Sequence, residues 1–218
     1  MKAFVPVCLY SNGFFLIKEQ VYKFLHYYSS YEEILFVIVD KLYGINLLIK
    51  DKLNNSDDVQ KAYEKRGRDI YYLVENCIRN HTIKKKSKTN YIIKYWNELA
   101  YTQEYISLKN SIISEFNSNI NLKRISNRFI ENNLVRMTDS VNAEKKRLEH
   151  DYLFSEIAMS IYLTEFCGYY DEIWEKKTNN PQEDPIGFLY RNEPESLIKI
   201  IGKKIGKRHQ LYLSSFIT

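Results

Sequence analysis

The stretch Ile34-Leu35-Phe36-Val37-Ile38-Val39 is an unbroken apolar run. It lacks the alternation of a half-exposed strand, so it reads as a strand covered on both faces, the habit of parallel sheets. Toward the amino terminus, Ala3 to Val7 forms a second short apolar run. Between the two, Ile17, Val21, Phe24 and Leu25 recur at helical intervals within Ile17 to Tyr28. A helix joining two buried strands is the right-handed crossover unit of an α/β sheet. The expected fold class is therefore α/β with a doubly wound parallel sheet.

The rest of the chain extends this pattern. Ser56, Asp57 and Asp58 read as a helix start, and the helix continues through Asn80 with Ala62, Tyr63, Ile70, Leu73, Val74 and Ile78 on one side. Ile83 to Trp96 holds Lys84, Lys85, Lys86 and Lys88 and then YIIKYW, a basic loop entering a third strand. Residues 97 to 148 are polar helical sequence. Asp151 is expected to cap a helix from Tyr152 to about Phe166 that ends near Gly168. Tyr169 to Trp174 reads as another strand, and the Asn179, Asn180, Pro181 and Pro185 stretch as a surface loop. No internal repeat or linker interrupts the pattern, so residues 1–218 are expected to form one domain.

Composition narrows the class. With 218 residues, 44% hydrophobic, 15% aromatic, 7 Gly and 4 Pro, the chain is a globular protein large enough to bury a core. No apolar run approaches the roughly 18 residues that cross a bilayer. Met1 to Phe15 lacks a small-residue cleavage site and does not read as a signal peptide, so a cytoplasmic location and no membrane partner are expected. Cys8, Cys77 and Cys167 are odd in number and widely spaced, which argues against a disulfide framework and against a zinc site. No metal and no cofactor are expected, and a monomer is the expected state. The 32 basic against 27 acidic residues leave a formal charge of +5, an excess compatible with an anionic partner.

Three constellations could carry chemistry. The turn after the first strand, VCLYSNGFF from Val7, lies where open α/β sheets bind ligands, outside the carboxyl ends of strands. It offers Cys8, Ser11 and Asn12 but no phosphate-cradling glycine motif. Cys8 is either a nucleophile or a buried structural thiol, and no histidine adjoins it in sequence to lower its pKa. Tyr152 and Glu156, four apart, share one helix face beside apolar Leu153, Ile157, Ala158 and Ile161. A partly buried carboxylate there needs a cationic or hydrogen-bonding partner, a role that a substrate amine or a basic side chain would fill. Lys61, Lys65 and Arg68 form a stripe suited to a phosphate backbone, with Arg66 and the Lys84 to Lys88 tract as candidate neighbours. His26, His81, His150 and His209 show no paired spacing and read as ordinary residues.

Taken in order from Phe4 to about Tyr190, these segments resemble the tRNA-dependent cyclodipeptide synthases. The likeness rests on Val7-Cys8-Leu9-Tyr10-Ser11 as a strand and Ser-containing turn, then an apolar strand ending in Asp with VDKLYGINLL, the Ala and Arg-Gly pair of KAYEKRGRDI, and the Trp of IIKYW. The strongest match is the Tyr-x-x-x-Glu helix and Gly-Tyr strand of DYLFSEIAMSIYLTEFCGYYDEIW. The resemblance implies a Rossmann-like domain similar to the catalytic domain of class I tyrosyl- and tryptophanyl-tRNA synthetases, with no ATP requirement. It implies transfer of an aminoacyl group from one aminoacyl-tRNA to the turn nucleophile, condensation with a second and release of a cyclic dipeptide. By position, Cys8 would be the nucleophile, Tyr152 and Glu156 would hold the amine and relay protons, Ser11, Asn12 and Trp174 would line the substrate site, and Lys61, Lys65, Arg66 and Arg68 would hold the tRNA. Two positions depart from the family: Cys8 stands where Ser is usual, a one-residue shift of register placing Leu9 there, and Trp174 and Glu175 replace a Tyr and the Pro or His after it. Trp donates one hydrogen bond but accepts none. A non-catalytic aminoacyl-tRNA or RNA binder, and an aminoacyl transferase to another acceptor, are the alternative readings.

Overall fold

The computed structural model describes residues 2–7, 9, 17–52, 55–169, 185–192 and 194–202. Strand β1 (Lys2–Val7), helix α1 (Lys18–Tyr27), strand β2 (Glu33–Ile38), helices α2 (Asp40–Ile49) and α3 (Ser56–Lys85) and strand β3 (Asn90–Tyr95) build the α/β layer. The strands form one parallel sheet in the order β1-β2-β3, with Val7 level with Ile38 and Ile38 level with Tyr95. All carboxyl ends therefore open at one edge, and the expected parallel core is present.

Alternate side chains of the strands feed two cores. Ala3, Val5, Val7, Ile34, Phe36 and Ile38 pack under α1 and α3 with Val21, Phe24, Leu25, Ile70, Val74 and Cys77. Phe4, Leu35 and Val37 face the other way, against α2 and the helices that follow β3. Those are α4 (Trp96–Ala100), α5 (Gln103–Ser118), α6 (Ile120–Met137), α7 (Ala143–Ile161) with a π-helical extension Tyr162–Phe166, α8 (Pro185–Asn192) and α9 (Glu195–Ile201). Leu189 of α8 and Leu197 of α9 close this second core. Burying both faces of β2 is what its continuous apolar run required.

Several boundaries differ from those expected. Asn55, not Ser56, caps α3: its side chain accepts from the Asp57 amide at 2.8 Å. The same helix runs to Lys85 rather than Asn80, so Lys84 and Lys85 belong to its last turn, and Trp96 opens α4 instead of ending β3. Asp151 caps nothing. The helix it sits in begins at Ala143 behind the Asn142 cap, and Asp151 lies mid-helix, paired with Lys109 of α5 at 2.6 Å. Beyond α7, Gly168 takes φ +72, a conformation glycine adopts without strain. Tyr169 then returns to the amino edge of the sheet, where its hydroxyl donates to Glu33, itself paired with Lys2. The strand expected over Tyr169 to Trp174 lies, past Tyr169, outside the described residues.

Candidate active site

The carboxyl edge of the sheet assembles the candidate site. Val39 donates its amide to the Val7 carbonyl at 3.1 Å, stitching the ends of β1 and β2 together, and Leu9 just beyond is fully buried. Helix α3 crosses over this edge. Its Gly67 comes so close that an added Cβ would meet the Asp40 Cβ at 3.3 Å and the Tyr95 ring at 3.4 Å. Arg66, the preceding residue, turns inward, and its Nε donates to the Leu9 carbonyl at 3.4 Å. Arg66 is thus separated from the outward face of Lys61, Lys65 and Arg68, all exposed, where Arg68 pairs with Glu64 at 3.8 Å.

Asp40 stands at the end of the central strand. It is 5% exposed, and its carboxyl is held by the backbone amides of Lys41, Asp40 and Trp96, yet Oδ1 has no hydrogen-bond partner. Burial pushes its pKa above the ordinary carboxylate range, outweighing the backbone donors. Tyr63 and Tyr95 lie within its field, and Tyr71 stacks on Tyr95 at 5.4 Å, forming an aromatic wall beside the charge.

Helix α7 supplies the second half. Tyr152 and Glu156 are half-buried, as the spacing predicts, and Tyr152 packs against the core that α7 shares with α2. The residues one step back from each, Asp151 and Ser155, line a cavity of about 240 Å³ together with Lys41, Leu42, Trp96 and Tyr105. Because Lys41 follows β2 and Trp96 follows β3, this cavity and the Tyr152–Glu156 segment lie at the carboxyl edge. Its floor is apolar and one rim carries the Lys109–Asp151 ion pair. The Tyr105 hydroxyl donates to the Ser155 carbonyl, and burial raises its pKa to about 12, so it stays protonated at neutral pH.

Cys8, Ser11, Asn12 and Trp174 lie outside the described residues. Of the other cysteines, Cys77 is buried and Cys167 half-buried, and burial raises both thiols, which leaves neither a good nucleophile. Sequence reasoning had no assignment for the Arg66 tether. Its only signal was an arginine one step off the basic stripe, beside a glycine in a helix. Among the described residues no group of His, Cys, Asp and Glu could hold a metal ion, and no helix is long and apolar enough to cross a membrane.

No protein-family profile and no curated protein matches the sequence. Solved structures do match in fold. A cyclodipeptide synthase from Bacillus thermoamylovorans superposes with a TM-score of 0.64 at 11% identity, over 88% of this chain and 81% of that one. AlbC, a cyclodipeptide synthase from Streptomyces noursei, gives 0.60 at 11% identity, over 77% and 78%. A Mycobacterium tuberculosis protein, whose structure relates cyclodipeptide synthetases to type I tRNA synthetases, gives 0.61 at 10% identity, over 77% and 69%. The architecture is a Rossmann-like α/β fold with a parallel sheet. Within that class, the fold of this chain is the fold of the cyclodipeptide synthases.

Proposed function

We propose that this protein is an aminoacyltransferase of the cyclodipeptide-synthase kind, joining the aminoacyl groups of two aminoacyl-tRNAs into a cyclic dipeptide. The observation that carries the reading is the fold itself, which matches solved cyclodipeptide synthases over most of both chains. The Cys8 sulfur attacks the ester carbonyl of the first aminoacyl-tRNA. A carbon–sulfur bond forms, the ester bond to the terminal ribose breaks, and that ribose oxygen leaves with the thiol proton. The amine of the second aminoacyl-tRNA then attacks the thioester carbonyl, so that a carbon–nitrogen bond forms, the carbon–sulfur bond breaks and the amine proton returns to the sulfur. The amine of the first residue closes on the remaining ester, releasing the ring and the ribose hydroxyl of the second tRNA. Glu156 accepts from the substrate ammonium, Tyr152 orients it, and both relay protons. Ser11, Asn12 and Trp174 complete the substrate site. The apolar cavity beside Asp151 and Ser155 receives an aminoacyl side chain.

The exposed face of α3 gives the tRNA its surface. Lys61, Lys65 and Arg68 share it with Tyr72, whose exposed ring is available for stacking. The test is incubation with total charged tRNA and mass spectrometry of the products. A diketopiperazine is expected, with an aminoacyl adduct on the Cys8 peptide. Cys8→Ala is expected to abolish both, and Glu156→Gln to slow turnover by roughly 10²–10⁴-fold. A linear or conjugated aminoacyl product would instead assign transfer to another acceptor. Salt-sensitive tRNA binding without any product would assign a binder.

A further inference from the structure

At the amino edge of the sheet, opposite the site above, a cavity of about 770 Å³ opens between the end of α1, the approach to β2 and the exit of α3. Its lining carries Lys85, Lys86 and Lys88 against one carboxylate, Glu32, with His26 and a His81 whose pKa burial holds below the ordinary histidine range. The walls are fixed by the frame, since Thr89 donates through its hydroxyl to the Ser29 carbonyl at 2.8 Å and the Asn90 amide to the Glu32 carbonyl at 2.8 Å. His81 is only 4% exposed, stands edge-on to Tyr91, and has no hydrogen-bond partner at Nε2.

Two features separate this from lysines that merely balance a helix end. Lys84 and Lys85 already answer the partial negative charge of the last turn of α3, whereas Lys86 takes φ +50 at the cap and Lys88 lies beyond the helix. The cavity also continues the outward face of α3. From Lys61, Lys65 and Arg68 that face runs through Tyr72, Arg79 and Ile83, all exposed, to Lys86. Lys86 is about 30 Å along the axis from Arg66, so the tract is no neighbour of Arg66 but the far end of the same surface.

We infer that this cavity is a second phosphate subsite, which grips the sugar-phosphate backbone of the bound tRNA at a distance from its reacting end, with Lys85, Lys86 and Lys88 neutralising phosphodiesters. The inference rests on the tRNA-dependent reading of the function. Binding of labelled, uncharged tRNA is measured by fluorescence anisotropy across a salt series. Lys85→Gln, Lys86→Gln and Lys88→Gln together, all at exposed positions, are expected to weaken binding and to make the log-log salt slope about 2 units shallower, at about 0.7–0.9 per phosphate released. His81→Phe, which keeps the ring contact with Tyr91 behind the lysines, is expected to leave both affinity and slope near wild type, and a loss as large as that of the triple variant would overturn the assignment to the lysines. Wild-type binding combined with an unchanged slope in the triple variant overturns this subsite while leaving the proposed function standing. So does calorimetric binding of inorganic phosphate that the triple variant loses without any change in its tRNA affinity. Absence of tRNA binding by the wild-type chain overturns both readings.

Discussion

Arg66 and Glu149 show how single residues depart from what their type suggests. An arginine in a basic helix invites a phosphate, but this one spends its Nε on the backbone carbonyl of Leu9, just past the end of β1. Arg66→Gln is therefore expected to lower kcat/KM by roughly tenfold, the cost of one partly buried hydrogen bond, while tRNA affinity stays near wild type. Reversal of Lys61, Lys65 and Arg68 should do the opposite, which anisotropy and initial rates together will resolve. Glu149 is 2% exposed, with Oε1 accepting from Asn133 and Oε2 unpartnered, and burial raises its pKa. The folded chain thus binds this proton more tightly than the unfolded chain does. Its contribution to stability is therefore lost as pH rises from the ordinary glutamate range, near 4.3, through the raised folded value. Glu149→Gln removes that loss, so the Tm of the variant relative to wild type should increase from pH 4 to pH 8 in paired thermal melts.

Helix α7 explains, at the scale of an element, why part of the site was legible in the sequence and part was not. Tyr152 and Glu156 could be read because Leu153, Ile157, Ala158 and Ile161 mark the buried face around them. Two turns earlier the same face is occupied by Lys145 and Glu149, both buried, so the apolar periodicity vanishes and the sequence pattern places the helix start at Asp151. Lys145 is fully partnered, whereas Glu149 has only Asn133 on one of its two oxygens. Lys145 Nζ donates to Thr138 and Ser140 and pairs with Asp51, a residue at φ +52 in the turn between α2 and α3. Lys145→Met keeps the stem and removes all three bonds. It is expected to cost about 1–3 kcal/mol, read as a lower urea midpoint with an unchanged m-value. The strands gave the converse case: their burial on both faces was written directly into Ile34 to Val39.

The whole molecule has two ends along one helix. The carboxyl edge holds the candidate chemistry and the amino edge the cationic cavity, and α3 connects them over 30 residues. Sequence pattern supplied the sheet and the paired face of Tyr152 and Glu156. It could not supply the pairing of Arg66 with Leu9, the unpartnered oxygen of Asp40 or the buried ring of His81, because these follow from tertiary approach between segments distant in sequence. If tRNA occupies the surface that spans both ends, it binds the folded chain alone and must stabilise it. Uncharged tRNA at a hundred times its Kd is expected to add about 2.7 kcal/mol to the unfolding free energy, measurable as a rise in Tm that added salt abolishes.

The wall of the smaller cavity has an optical consequence. The chain contains 2 tryptophans, and one of them, Trp96, is 4% exposed where α4 begins beside Leu42 and Tyr105. In a Trp174→Phe background the indole emission of the whole protein would come from that single ring. Seating an aliphatic side chain against it would change its spectrum, so occupancy of the cavity could be followed by stopped-flow fluorescence independently of any product.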